Sequence, residues 1–100
     1  MVECCIDLGA RFVKTDDVLT RAIGNELVLL HTARAEYFGL SGIGLFVFLS
    51  FTAGKSFEEV VSELEGYYPA RARQIRYDIA KLTLALLDTG CLREISSEEA

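Results

Sequence analysis

Tryptophan is absent from this chain of 100 residues, proline and histidine occur once each, and there are only three cysteines. Cys4, Cys5 and Cys91 are odd in number, and the adjacent pair cannot readily close a disulfide on itself. Such usage indicates reduced thiols and hence a cytoplasmic protein. A zinc site needs four ligands at a suitable spacing, and a sequence with one His and no C-x-x-C motif does not supply them. We therefore predict neither a metal nor a cofactor, and we expect Cys91 to be an ordinary core residue.

Long hydrophobic runs and catalytic motifs are missing as well. The longest apolar stretch, residues 40–53, has fourteen positions, whereas a membrane-spanning helix needs about 20. The first residues, MVECCIDLGARF, contain Glu3 and Asp7 but no basic region, so we expect no signal peptide. No G-x-G-x-x-G or P-loop motif occurs, and the lone His31 has no nucleophile or orienting group at a recognisable spacing. The sequence predicts neither a membrane protein nor an enzyme.

Apolar residues, by contrast, make up 51% of the chain, which carries a net charge of −5. This much apolar surface excludes an intrinsically disordered chain, and the length fits one domain. A folded chain of this length has a radius of gyration of about 13 Å, too small to bury every apolar side chain. A contiguous exposed patch is therefore expected to be a binding site. The acidic balance argues against nucleic acid or an anionic membrane as partner.

The amino-terminal half contains three short runs that are typical of strands. Residues 1–17 are expected to form an irregular arm, followed by a domain over residues 18–95 and a polar tail over residues 96–100. Strands are predicted over residues 18–23, 26–32 and 35–40, separated by the turns Gly24-Asn25 and Ala33-Arg34. Short connections imply an antiparallel meander with the third strand at an edge.

The carboxy-terminal half shows helical signals. Ser41 is a candidate N-cap for a helix over residues 42–52, and Ser56 with Glu59 forms a capping box before a helix over residues 57–65. Pro69 suits the first turn of a third helix over residues 69–89, and residues 91–95 read as a short extended end. The predicted class is α+β, with three strands followed by three helices.

The third predicted helix has two apolar faces. With about 100° per residue, one stripe forms the expected core face: Ala72, Ile75, Ile79, Leu82 and Leu86. A second, exposed arc contains Tyr77, Ala80, Leu84 and Leu87, with Arg73 and Arg76 beside it. One stripe suffices to attach a helix to a core, so the second arc predicts a second partner. The basic residues over 71–81 fit either a solvated face or an anchor for carboxylates or phosphates.

The third predicted strand is also open on one side. Proteins usually blunt such an edge with charge or proline, yet residues 35–40 contain only Glu36 as a charged residue. An extended peptide can pair with the edge as a fourth strand, with its side chains held by the exposed arc. For Tyr37, contact with the peptide and burial in the core both remain open. The same edge can also pair with a second copy to give a homodimer.

Three segments carry a resemblance to a known family: ELVLLHTARAEYFGLSGIG, SFEEVVSELEGYYP and DIAKLTLALLDTGCL. An aromatic pair and leucine precede a Ser-Gly helix start, and a Phe-Glu-Glu helix precedes a long last helix that ends in Gly-x-Leu. This order resembles the PqqD-like domains, which recognise the leaders of ribosomally made precursor peptides. The resemblance spans about residues 15–95 and implies a winged-helix-like fold. The length resembles that of stand-alone recognition proteins of lasso-peptide pathways.

The resemblance implies a non-catalytic function. Such a domain binds a precursor's leader peptide as an added strand beside the third strand and against the third helix. It then delivers the peptide to a leader peptidase, which is a cysteine protease, or to another modifying enzyme. Taken together with the edge and the arc, the expected peptide-binding residues are Arg34, Ala35, Glu36, Tyr37, Phe38, Gly39, Arg73, Arg76, Tyr77, Ala80, Leu84 and Leu87. The family pattern gives no account of the Cys4-Cys5 segment.

A winged-helix DNA-binding regulator is the alternative from another class. Three helices with a basic third helix fit it superficially. The net charge of −5 and the placement of all three strands before the helices argue against it, because no wing hairpin follows the basic helix.

Overall fold

A computed structural model describes residues 9–95, so Cys4, Cys5 and the predicted tail over residues 96–100 lie outside the described residues. In chain order the elements are β1 (Arg11–Lys14), β2 (Val18–Ile23), β3 (Glu26–His31), β4 (Glu36–Ser41), α1 (Gly42–Thr52), α2 (Phe57–Tyr67), a 3-10 turn (Pro69–Arg71), α3 (Ala72–Asp88) and β5 (Leu92–Ile95). The predicted α+β class, with a meander followed by three helices, is confirmed.

The strands β2, β3 and β4 form an antiparallel sheet in that order, so β4 lies at an edge as predicted. Gly24, with φ of 59°, provides the left-handed residue of the β2–β3 turn. The β3–β4 turn uses Ala35 at φ of 55°, a conformation that an L-residue with a side chain adopts at a cost. Nδ1 of the buried His31 accepts a hydrogen bond from the Arg34 backbone N–H at 3.3 Å, which helps to hold this turn.

A second sheet pairs β1 with β5, in the register Arg11 with Ile95 through Lys14 with Leu92. The expectation of an irregular segment is wrong for residues 11–14, whereas the extended end predicted over residues 91–95 is confirmed. The physical reason is that β1 pairs with a strand at the other end of the domain, which no local pattern reveals. Phe12 of β1 is buried and meets Phe51 of α1 edge to face, with ring centroids 4.9 Å apart.

The helices begin close to the predicted positions. Ser56 and Glu59 form the predicted capping box: the Glu59 N–H donates to Ser56 Oγ at 3.2 Å, and the Ser56 N–H donates to Glu59 Oε1 at 2.8 Å. Ser41 occupies the N-cap position of α1, but its side chain makes no capping bond. Pro69 opens the separate 3-10 turn, so α3 itself starts at Ala72 rather than at residue 69.

The core lies between the helices and the inner faces of the two sheets. Cys91 is fully buried, as predicted. Thr83 of α3 is buried as well, and its hydroxyl donates to the Ile79 carbonyl at 2.7 Å, which satisfies the polar group. In residues 9–95, no helix is both long enough and apolar enough to cross a bilayer. The largest fully buried apolar side chains are Phe12, Phe48, Phe51, Phe57, Leu29 and Ile79.

Candidate functional site

The outer side of β4 is unpaired among the described residues, since only β3 pairs with this strand. Phe38 is half-buried and Leu40 is buried, so these alternate side chains face the helices. Tyr37 and Gly39 are exposed on the opposite face, which decides the question left open for Tyr37: it is not a core residue. Arg34, Ala35 and Glu36 are also exposed. The strand therefore offers free backbone N–H and C=O groups to an incoming chain.

Helix α3 runs antiparallel beside this edge. At the start of β4, Arg34 Nη1 donates to the Asp88 carbonyl at the end of α3, at 3.4 Å. At the other end of the strand, a Cβ built on Gly44 would lie 3.7 Å from Leu82 Cδ2 and 3.8 Å from Leu40 Cδ2. These distances place α3 beside β4 with the two chain directions opposed, and the surface between the two elements is called the groove below.

A cleft of about 230 Å³ opens where this groove meets the start of α1. Its walls are aliphatic except for Asp78, whose Oδ1 accepts a hydrogen bond from Gln74 Nε2 at 2.9 Å. Gly44 contributes no side chain, which keeps the cleft open beside Leu82. The cleft can take an apolar side chain with a donor group close to the carboxylate. It is lined by Ile43, Gly44, Ile75, Asp78, Ile79 and Leu82.

The cleft uses a different face of α3 from the predicted arc. Helical periodicity places Leu82 in the core stripe and Asp78 on the narrow polar face of α3, so it predicts a ligand contact for neither. Ile43 is the second residue of α1. Because this helix is apolar all round, helical periodicity gives no indication that Ile43 is exposed. The signal in the sequence is the pair of glycines at the start of α1, Gly42 and Gly44, which by itself fits close packing between helices equally well.

Only two of the four residues in the predicted arc of α3 are exposed in the structure. Tyr77 and Leu84 are exposed as expected, but Ala80 is only 7% exposed and Leu87 packs against the core, so the exposure predicted for these two is wrong. The reason is the packing of α2. Arg76 Nε lies 3.4 Å from Glu65 Oε2 of α2, and Ala80 follows Arg76 one turn later on the same side of α3.

The basic residues form an exposed ridge on α3. Arg73 lines an open cavity with Ala70, Arg71, Gln74 and Tyr77. Lys81 Nζ lies 5.8 Å from the centroid of the Tyr77 ring, within the range of a cation–π contact. Arg76 already has Glu65 as a partner, which leaves it less suited than Arg73 to bind a ligand carboxylate. As peptide contacts, the twelve residues predicted from the sequence stay predictions.

Comparison with known proteins relates this geometry to one family. Residues 26–92 match the family described as "Coenzyme PQQ synthesis protein D (PqqD)". A search of curated protein sequences found no significant match.

Two solved structures have the same fold. One, described as "TbiB1 in Complex with the TbiA(beta) Leader Peptide", is 27% identical, with a TM-score of 0.74 over 85% of this chain and 99% of that chain. The other, "Lasso peptide synthetase B1 complexed with the leader peptide", is 23% identical, with a TM-score of 0.76 over 84% of this chain and 99% of that chain. Because the family match covers two thirds of the sequence, from β3 through α3, the chain belongs to the PqqD family.

Proposed function

We propose that this protein binds the leader region of a ribosomally made precursor peptide and delivers it to a separate enzyme. The peptide adds to β4 as a fourth antiparallel or parallel strand and lies against α3. The observation that carries the proposal is the unpaired β4 edge with α3 running beside it. Family membership and the likeness to a protein described in complex with a leader peptide support it.

Two kinds of contact contribute to binding of the peptide. Ladder hydrogen bonds to β4 give affinity that does not depend on the peptide's sequence. Side chains of an added strand alternate between faces, so every second one points toward α3, on the same side as Phe38 and Leu40. These inward side chains select the sequence, because they enter the groove and its cleft.

The chemistry of the groove describes the leader that fits. The aliphatic walls of the cleft take a branched or aromatic side chain, and Asp78 favours a lysine, arginine or other donor beside it. Exposed Arg34 at the opposite end, and Arg73 on the ridge, favour acidic residues in the peptide. The protein itself supplies no chemistry: it is a non-catalytic adaptor, and a leader peptidase or other modifying enzyme, most simply one of a lasso-type pathway, acts on the bound precursor.

An NMR titration with the leader of the precursor encoded beside this protein tests the proposal. We expect backbone amide shifts in residues 34–44 and 74–85, the two walls of the groove. Shifts confined to β1 and β5 would refute the site, and the absence of any shift at millimolar peptide would refute the function.

A further inference from the structure

The unpaired edge of β4 has one position without a side chain. Gly39 is exposed on the outer face of the sheet, opposite the helices, where its neighbours along the strand are Tyr37 and Ser41. Its backbone is extended rather than left-handed, so conformation does not require a glycine at this position. A glycine inside a strand often marks a place where another group comes close to the backbone.

The group that comes close to Gly39 is the carboxylate of Glu26, the first residue of β3. Glu26 pairs with Ser41 in the register, and Gly39 is therefore its diagonal neighbour on the outer face. A Cβ built on Gly39 would lie 3.6 Å from Glu26 Oε1. The carboxylate thus lies over β4, on the side of β3 where the sheet has its open edge.

Glu26 is exposed and brings a negative charge to this edge. Within residues 9–95, the carboxylates that form ion pairs are those of Glu59, Glu63 and Glu65. Arg21 also lies on the outer face, but on β2, at the opposite edge of the sheet. The charge beside Gly39 is therefore open to a cation supplied by a ligand.

A peptide strand added to β4 would place one side chain at this charge. Neighbouring strands lie about 4.8 Å apart, so the peptide residue beside Gly39 is one strand spacing farther out than β4 and points to the same face. A lysine or arginine there can lay its aliphatic stem over the bare backbone of Gly39, next to the Tyr37 ring, and bring its charge to Glu26 Oε1. A glutamate there would bring two carboxylates together.

We propose that Glu26 and Gly39 form a subsite for one outward-pointing cation of the bound leader, a lysine or arginine; the inference rests on the proposed function. The groove beside α3 contacts only the inward side chains of an added strand, which are every second residue of the peptide. The subsite selects one residue of the other set, so the protein recognises the leader from both faces of the sheet.

A lysine and glutamate scan of the leader tests the subsite. Every residue of the leader of the precursor encoded beside this protein is replaced in turn by lysine and by glutamate, and the affinity of each fluorescein-labelled peptide is measured by fluorescence anisotropy at physiological salt. The quantity compared is the ratio of the dissociation constants of the glutamate and lysine peptides. At one outward position, wild type should favour lysine about fivefold, because water and salt screen an exposed ion pair.

Two variants of Glu26 and one control establish which carboxylate is responsible. Glu26→Gln should lower the ratio at that position to below twofold, and Glu26→Lys should invert it, so that the glutamate peptide binds more tightly. The control Glu58→Gln removes an equally exposed negative charge from the first turn of α2, outside the groove and the sheet, and should keep the fivefold ratio. Thermal melts establish that each variant folds.

The outcomes separate the subsite from the proposed function. If wild type binds none of the peptides, the proposed function fails. If the leader binds but no position gives a ratio that depends on Glu26, the subsite is refuted while the proposed function stands. A lysine preference that Asp78→Asn abolishes and Glu26→Gln retains would belong to the cleft, against the inference. An equal loss of the preference in Glu58→Gln and Glu26→Gln would show an effect of net charge alone and would overturn it as well.

Discussion

Gly90 follows α3 at a point where the backbone has φ of +84° and a side chain has no space. A Cβ there would lie 2.9 Å from His31 Nε2. Gly54, after α1, has φ of +101°, but a Cβ would meet nothing within 4 Å. The two glycines thus separate the cost of backbone conformation from the cost of crowding.

We expect Gly54→Ala to lower the free energy of unfolding by about 1 kcal/mol, the cost of a left-handed residue with a side chain. Gly90→Ala should lower it by about 2–4 kcal/mol, because crowding adds to that cost. It should also weaken leader binding, since His31 holds the turn into β4. Urea denaturation and leader titration measure both effects. Equal losses of stability in the two variants would show that the His31 side chain moves away from residue 90 without lowering the free energy of unfolding.

Ile43 and Leu49 provide a matched pair within α1. They are 44% and 49% exposed, but only Ile43 lines the cleft beside β4. We expect Ile43→Ser to weaken leader binding about tenfold, or about 1.4 kcal/mol. This is slightly less than the roughly 1.5–3 kcal/mol for fully burying an aliphatic side chain, because Ile43 is already partly covered. Leu49→Ser should leave binding unchanged. Calorimetric titration checks this, and the same loss in both variants would move the peptide away from the cleft.

Glu59 gives a pH dependence with a definite sign. The backbone N–H of Ser56 donates to its carboxylate, and Arg11 lies nearby, so the pKa of Glu59 is held below its ordinary value of 4.5. A lowered folded-state pKa stabilises the fold above the unfolded-state pKa, and the stabilisation disappears as the pH falls through the folded-state value. The stability of wild type relative to Glu59→Gln should therefore be greatest above pH 4.5 and shrink at lower pH.

Urea midpoints measured from neutral pH down to about pH 3 test this expectation. Glutamine can keep the capping geometry, so the difference in stability between wild type and Glu59→Gln measures the contribution of the carboxylate charge. Glu58→Gln, in the same first turn of α2, is the control for the helix dipole. A wild-type advantage that is undiminished at about pH 3 would contradict the expected sign.

Strand β4 makes a prediction about the backbone of the ligand. In a ladder, alternate backbone N–H groups of an added strand point toward β4 and the others point away. Two modified leaders test this. One is N-methylated at two successive odd positions of the segment that pairs with β4, the other at two successive even positions, and their affinities should differ. One pattern should abolish binding, and the other should change the affinity by less than threefold. If both patterns bind like the unmodified peptide, the leader does not add to the sheet.

Elements differ in how far local sequence determines them. The three meander strands and α2 could be predicted because turn residues and the Ser56–Glu59 capping box lie within a few residues of the structure they specify. Strand β1 could not, since its partner β5 is at the other end of the domain. On α3, helical periodicity identified the buried stripe but not which neighbour covers each flank. Periodicity therefore predicts an exposed Ala80, which is buried in the structure, and it does not indicate that Asp78 lines the cleft.

The charge distribution of the whole molecule bears on the alternative of a DNA-binding regulator. The net charge is −5, and the exposed cations of α3 amount to a short ridge. Within residues 9–95 no hairpin follows α3, because β5 pairs with β1. We expect no binding to duplex DNA at micromolar concentration and physiological salt, since a few phosphate contacts lose most of their affinity there. Anisotropy with a labelled duplex across a salt series measures this, and sub-micromolar binding at physiological salt would contradict a peptide adaptor.

The pairing of Arg11 with Ile95 has a consequence for how this unit can be combined with others. The chain enters and leaves the domain at adjacent positions of one two-stranded sheet, and the edge of β4 belongs to the other sheet. Adjacent entry and exit points are the geometry that lets a domain be inserted into a surface loop of a second protein without stretching either. The fold is therefore suited to insertion, as a complete domain, into a surface loop of an enzyme, with the edge of β4 still exposed.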